Sequence, residues 1–323
     1  MSPASAARRE KGLRLGALLW PQMTDWAGFR EAALEAERCG FDSLWTSDHL
    51  LNPTGPLDGP VLDGWSAITA IGALTLKPTV GLIVSANTLR HPALVAKMTA
   101  TIDHVTGGRA VCGLGAGWLE SEHTVYGIEF GSPADRLDRL GESAMLIRKL
   151  LDGERVDWEG RWYAFRSVTQ APAPLQRHLP ILIGGEGRRK TLRIVAQVAD
   201  MWNARGNLES LLDADAALRR HCEEVGRDES TIERLTNRWV VIRDDRRTAE
   251  DWVEQSMLRQ GLKVFDRSTI ICGPPEVVAG ALAPIVAAGF RHIVLSLRAP
   301  WDMETIRRVH ELRQHLSSGV RFN

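Results

Sequence analysis

Short apolar runs alternate with longer amphipathic stretches from one end of the chain to the other. The short runs, four to eight residues each and bounded by Gly, Pro or Asp, read as buried strands: Leu13–Trp20, Asp42–Ser47, Thr79–Ser85, Arg109–Leu114, Pro180–Gly185, Met201–Ala204, Arg238–Arg243 and His292–Leu297. Between them, helical spacing covers Trp26–Cys39, Pro92–Val105, Pro133–Leu151, Arg188–Val198, Leu208–Val225, Ala249–Gln260, Pro275–Ala288 and Met303–His315. Asp25 stands where a helix N-cap belongs, and Pro92 and Pro133 sit in first turns where a missing N–H costs nothing.

Strands alternating with helices imply a parallel sheet, and eight such units imply an α/β fold, a (β/α)8 TIM barrel. Two stretches break the rhythm. Val156–Ser167, with Glu159-Gly160 at its centre, reads as a hairpin inserted after the fourth unit. "STIICGPPEVV" and an extra helix intervene between strands seven and eight. The expected organisation is a flexible N-terminus over residues 1–12 and one barrel domain over residues 13–323.

Composition narrows the partners. Lys plus Arg and Asp plus Glu both number 40, so no long-range field gathers nucleic acid or an anionic membrane. No run approaches the roughly 20 apolar residues of a membrane span. Cys39, Cys112, Cys222 and Cys272 lack C-x-x-C spacing, which fits packing roles in a reducing compartment and a cytoplasmic location. A polar beginning, "MSPASAARREKG", followed by an apolar run containing Arg14, does not read as a secretion signal.

A barrel keeps its chemistry at the C-terminal ends of its strands. Those ends supply Trp20, then Asp48 and His49, then Ser85 and Asn87, then "GLGAGW", then "GGEGRR", then Trp202 with Asn203. Aromatic walls, glycine turns and one good proton carrier suit a large planar cofactor better than a metal, which needs several convergent carboxylate or imidazole ligands. A histidine can pass a proton at neutral pH, and His49 has Asp48 beside it in sequence; the plain alternative is a capped turn. In "ILIGGEGRRKTLRIVAQVADMWN" the amides of Gly185, Glu186 and Gly187 can meet a phosphate where a helix begins, or the glycines can simply make a tight turn. "GLGAGW" has Trp118 at the third glycine position of G-x-G-x-x-G, so it is no dinucleotide fingerprint. Its glycines let the chain approach a flat ring, with Trp118 either walling the substrate or packing in the core. Arg90 and His91 either touch a ligand or cap the next helix.

Together, "GFDSLWTSDHL", "VSANTLRHPALVAK", "DHVTGGRAVCGLGAGW", "ILIGGEGRRKTLRIVAQVADMWN" and "CGPPEVV" resemble the bacterial luciferase-like superfamily of barrel oxidoreductases, above all its branch using the deazaflavin coenzyme F420. The likeness runs from about Leu13 to the C-terminal helix. It implies hydride exchange between coenzyme F420 and a small-molecule substrate, with Asp48 and His49 in the acid/base position. It places the cofactor against Val84, Ser85, Asn87, Gly115, Ala116, Gly117 and the turn Gly184, Gly185, Glu186, Gly187, and substrate against Trp20, Trp118 and Trp202. It also implies a non-proline cis peptide near Ile83, Val84 and Ser85, and a homodimer without nucleic acid or membrane partners. The alternatives are an FMN-dependent monooxygenase and, behind it, a flavin-binding barrel without catalysis. Sugar-phosphate dehydrogenases of this branch carry a glutamate where this chain has Trp118, so an apolar or aromatic substrate is expected rather than glucose 6-phosphate.

Overall fold

A computed structural model describes residues 12–262 and 269–319; the N-terminal segment expected to be loose lies, apart from Gly12, outside the described residues. The elements in chain order are β1 Arg14–Leu19, α1 Trp26–Arg38, β2 Ser43–Thr46, α2 Gly64–Leu74, β3 Thr79–Leu82, β4 Ser85–Ala86, α3 Pro92–Thr106, β5 Ala110–Gly115, α4 Glu120–Tyr126 and α5 Pro133–Leu151. There follow β6 Val156–Glu159, β7 Ala164–Val168, β8 Ile181–Gly184, α6 Thr191–Val198, β9 Met201–Ala204 and α7 Leu208–Val225. The chain continues with β10 Glu233–Ile242, α8 Arg246–Arg259, β11 Ile270–Gly273, α9 Pro275–Ala287, β12 His292–Leu297, α10 Met303–Arg307 and α11 Val309–Gly319.

Eight strands pair in parallel in the order β1-β2-β3-β5-β8-β9-β10-β12, and β12 pairs back onto β1, closing the (β/α)8 barrel. Alternation along each strand sorts the side chains. Leu18, Trp45, Val111, Leu182, Met201, Leu235 and Val294 fill the interior. Leu15, Ala17, Leu44, Ile181, Ile293 and Leu295 point outward into the layer beneath the helices. The expected hairpin is present as antiparallel β6–β7. The expected caps are present too: Asp25 accepts from Gly28 N at 2.8 Å, and His91 accepts from Ala93 N at 3.3 Å.

Strand seven differs from its sequence reading. It begins at Glu233 rather than Arg238, and its first half, Glu233–Arg238, is what pairs with β9 and β12. That half is mostly polar, because Arg234 points outward onto Asp215 of α7 at 2.6 Å while Asn237 points into the mouth. The apolar half, chosen by the hydrophobic pattern, extends beyond the barrel and pairs with β11. The helix α2 also escapes the pattern: GWSAITAIGAL has little polar face to mark a period, since six of its residues are buried. The short α4 was equally unmarked.

The floor of the barrel is polar. His292 Nε2 lies 2.7 Å from Ser43 Oγ, which also accepts from Trp45 Nε1 at 2.7 Å, and His292 Nδ1 lies 2.8 Å from Glu233 Oε1. The order Ser–His–Glu imitates a hydrolytic triad, but Ser43 is 0 % and His292 1 % exposed, so no substrate reaches it. Gly16 makes room: a Cβ there would stand 2.4 Å from Ser43 Oγ. Burial pushes the His292 imidazole below its ordinary 6.5, outweighing the bond to Glu233. Above that value both folded and unfolded chains hold it neutral; below it the unfolded chain takes up the proton first, so this contribution to stability is lost as pH falls. A His292→Gln variant is therefore expected to lose less Tm than the wild type between about pH 7 and about pH 5. Equal losses in thermal melts would remove His292 from the acid response.

Candidate active site

At the C-terminal end of the barrel lies a cavity of about 250 Å³. Its wall brings together most of the residues singled out in the sequence: Trp20, Asp48, His49, Val84, Gly115, Ala116, Gly117, Trp118, Gly184 and Gly185. Each reaches the mouth because it stands at, or just beyond, the end of a barrel strand.

The glycine wall is built around Val84. The Ile83–Val84 peptide is cis, as the resemblance implied, and β4 continues the third strand beyond it. A Cβ on Gly115 would lie 2.4 Å from Val84 Cγ2, and one on Gly184 would lie 2.8 Å from Val84 Cγ1. Glycine at both positions lets two neighbouring strands close on the valine and leaves its surroundings open on the cavity side.

His49 and Asp48 point to different partners. Asp48, 2 % exposed, accepts from Ser85 Oγ at 2.7 Å and from Arg90 Nη1 at 2.6 Å, and Arg90 also bonds Asp63 at 3.0 Å. Burial pushes the Asp48 carboxyl up from its ordinary value, while Arg90 and Ser85 pull it back toward the charged form. The acid at His49 is Glu122. Its Oε2 lies 3.3 Å from His49 Nδ1 and accepts from Leu50 N at 2.9 Å, and the side chain is almost wholly buried. The Trp118 ring meets the imidazole edge-on at 5.5 Å. Trp118 itself is 58 % exposed, so it is a wall and not core.

Five expected site residues fall outside this wall. Ser85 stands behind it, bonded to Asp48 and accepting from Trp65 Nε1 at 3.1 Å. Asn87 is buried and ties its backbone N to Gly115 O at 2.8 Å. Glu186 accepts from Arg205 N at 2.6 Å, joining the loops after β8 and β9, and Gly187 packs against Thr191. Trp202 is 0 % exposed in the outer layer, donating to Gly185 O at 2.9 Å, because alternation in β9 turns it away from the mouth and turns Asn203 inward. The glycine turn is also rearranged from its sequence reading. Gly185 N donates to Asn203 O at 3.1 Å, Arg188 pairs with Asp213, and the helix starts at Thr191 rather than Arg188. Of Arg90 and His91, the first bonds Asp48 and the second caps α3.

Sequence reasoning missed Glu122 and Asn237 and named Asn203 only as a strand-end residue beside Trp202; all three are on the cavity wall. The signal for Glu122 was "WLESEH", an acidic cluster directly after a strand end, hidden by its resemblance to ordinary first-turn acids. Four of the lining side chains carry a buried polar atom without a partner: Asp48 Oδ1, Glu122 Oε1, Asn203 Nδ2 and Asn237 Oδ1. Such atoms are costly unless a ligand or water meets them, which marks the cavity as a place for a polar, partly flat molecule. Among the described residues, no group of three or more His, Cys, Asp or Glu side chains is placed to hold a metal ion.

The profile of the luciferase-like monooxygenase family matches residues 7–270. The chain belongs to that family. An F420-dependent glucose-6-phosphate dehydrogenase of Kineococcus radiotolerans is 30% identical over 290 residues, covering 81% of this chain and 84% of its own. An F420-dependent hydroxymycolic acid dehydrogenase of Mycobacterium tuberculosis is 30% identical over 227 residues, 68% of this chain and 61% of its own. The solved structure of an F420-dependent secondary alcohol dehydrogenase in complex with an F420-acetone adduct superposes with a TM-score of 0.80 at 21% identity, over 94% of this chain and 99% of that one, a likeness of fold.

The glycine wall yields a direct test. Gly115→Ala must displace Val84 and is expected to cost about 1–3 kcal/mol, the usual range for overpacking. Gly280→Ala, whose methyl meets open space within helix α9, is expected to be neutral or stabilising by up to about 1 kcal/mol. Urea unfolding of both variants checks the contrast.

Proposed function

We propose that the protein is an oxidoreductase that binds coenzyme F420 in the barrel mouth and exchanges a hydride with a small organic substrate, with His49 moving the accompanying proton. The observation that carries this reading is His49 held by the buried Glu122 at the edge of a glycine-walled cavity. Relatives named for F420-dependent dehydrogenation support it.

The residues present fit a deazaflavin. Gly115 and Gly184 let Val84 stand at the cavity wall, an apolar surface against which a flat ring can lie, and the unpartnered atoms of Asp48 and Glu122 offer polar contacts at its edge. Gly184, Gly185 and Thr191 line the part of the cavity proposed for the polar arm. Bound there, the deazaflavin supplies the redox chemistry, and the barrel supplies position and electrostatics. Glu122 Oε2 occupies Nδ1 of His49 and is itself fixed by the Leu50 amide, which leaves Nε2 to give or take the proton. Trp118 and Trp20 form aromatic walls that suit an apolar or aromatic substrate.

A second reading keeps the same cavity for reduced FMN and oxygen, in line with the family's description. Titrating coenzyme F420 and FMN side by side separates the two. Tighter binding of F420 is expected, without oxygen consumption; tighter FMN binding with oxygen uptake would favour the monooxygenase. With the cofactor so identified, and on a substrate found by screening small alcohols and carbonyl compounds for turnover, His49→Ala is expected to lower turnover about 10²- to 10⁴-fold with far less change in cofactor affinity. Glu122→Gln, which keeps an acceptor for the Leu50 amide, is expected to lower it by less. A fully active His49→Ala enzyme would return Asp48 and His49 to a plain turn.

A further inference from the structure

Beginning next to Gly184, whose register partner is Asn203, the mouth is built from different chemistry. In the closed order of eight strands, β9 stands four places from β2 and β10 four places from β3. The strand ends bearing Asn203 and Asn237 therefore face those bearing His49 and Val84 across the barrel. The register Leu235↔Asn203 puts Asn237 two residues farther along the neighbouring strand, on the same inward face. Asn203 is 4 % exposed, and its Nδ2 has no partner; Asn237 Oδ1 has none either. An amide buried this far is retained at a cost that a ligand can remove. Whichever way each amide is turned, it presents a donor on one side and an acceptor on the other.

The pair carries no charge, and its surroundings add little. Arg205, on the same wall, is 67% exposed at its side chain and lies 3.6 Å from its partner Glu186, so its charge sits at the rim and is already met. Glu122 on the facing side would repel a second anion in the cavity, while the charge of Asp48 is already met by Arg90. Trp20 and Trp118 supply apolar surface beside these polar points.

We propose that Asn203 and Asn237 form a substrate subsite that reads a neutral hydrogen-bonding group, a hydroxyl, carbonyl or carboxamide, on an otherwise apolar or aromatic molecule. The proposal rests on the reading of this cavity as the oxidoreductase site. A wall of two neutral amides with the carboxylate of Glu122 across the cavity selects against phosphates and carboxylates, because either anion leaves charge unmatched while a neutral group satisfies both amides.

Benzamide and benzoate, nearly equal in shape, test it by calorimetry on the protein alone and on the protein saturated with coenzyme F420. Benzamide is expected to bind at least about tenfold more tightly than benzoate, the scale of one or two well-made hydrogen bonds. Asn203→Leu and Asn237→Leu are each expected to erase most of that preference while leaving the affinity for F420 within about twofold. Failure of benzamide to bind, equal or tighter binding of benzoate, or a preference that survives in both variants overturns the subsite. Variants that weaken F420 rather than benzamide assign the amides to the cofactor and overturn it as well. The wild-type comparison needs no variant to fold. Failure of F420 to bind would count against the proposed function, while the measurements on the protein alone still decide the subsite.

Discussion

Closure of the sheet is the constraint on which the rest depends. Once His292–Leu297 pairs along Arg14–Leu19, each of the eight barrel strands is paired on both sides, and its residues must face either the interior or the helices. Trp45 and Leu18 fill the inside, and Leu44 and Leu15 fill the outer layer. The polar ends follow from the same rule. At the floor the inward Ser43 and His292 must satisfy each other, and at the mouth the inward Asn203 and Asn237 face a cavity instead.

The mouth is organised by two local arrangements held on that frame. One is steric: strands ending in Gly115 and Gly184 close on Val84 at distances no side chain would allow. The other is electrostatic, and it divides the two neighbours Asp48 and His49. Asp48 belongs to a buried set with Ser85 and Arg90 that ties the second strand end to the third, and Arg90 carries the tie on to Asp63 at the start of α2. His49 belongs to Glu122, which arrives from α4 beyond the fourth barrel strand. The histidine is thus oriented by a residue 73 positions away and not by the acid beside it. Because Glu122 also binds the Leu50 amide, the imidazole is held relative to its own backbone, the condition for a proton carrier that acts at one atom.

The family membership and the cavity agree on the type of chemistry, and the cavity adds a view of the substrate. Relatives include a sugar-phosphate dehydrogenase and a dehydrogenase named for a hydroxymycolic acid. In this chain Trp118 walls the mouth next to His49, and no buried cation is placed opposite it among the cavity-lining residues described. Neutral amides and aromatic rings are what the proposed subsite offers a small, mostly apolar substrate.

Apolar runs and turn residues were enough to determine the barrel, because burial on both faces forces continuous hydrophobic strands and several helices announce their starts with Asp25, Pro92 and Pro133. Seven of the eight strands, the hairpin at Val156–Val168 and the strand-end position of His49 were legible in this way. Strand seven was not, because Arg234 and Asn237 are polar for reasons supplied by α7 and by the mouth, neither of which is near them in sequence. The same limit separates the site residues. Strand-end glycines and His49 could be named from the chain alone, since position along a strand suffices. That Trp202 faces the helices, that Arg90 holds Asp48, and that Glu122 holds His49 depend on which face each strand turns inward and on contacts across dozens of residues; only closure of the barrel fixes those.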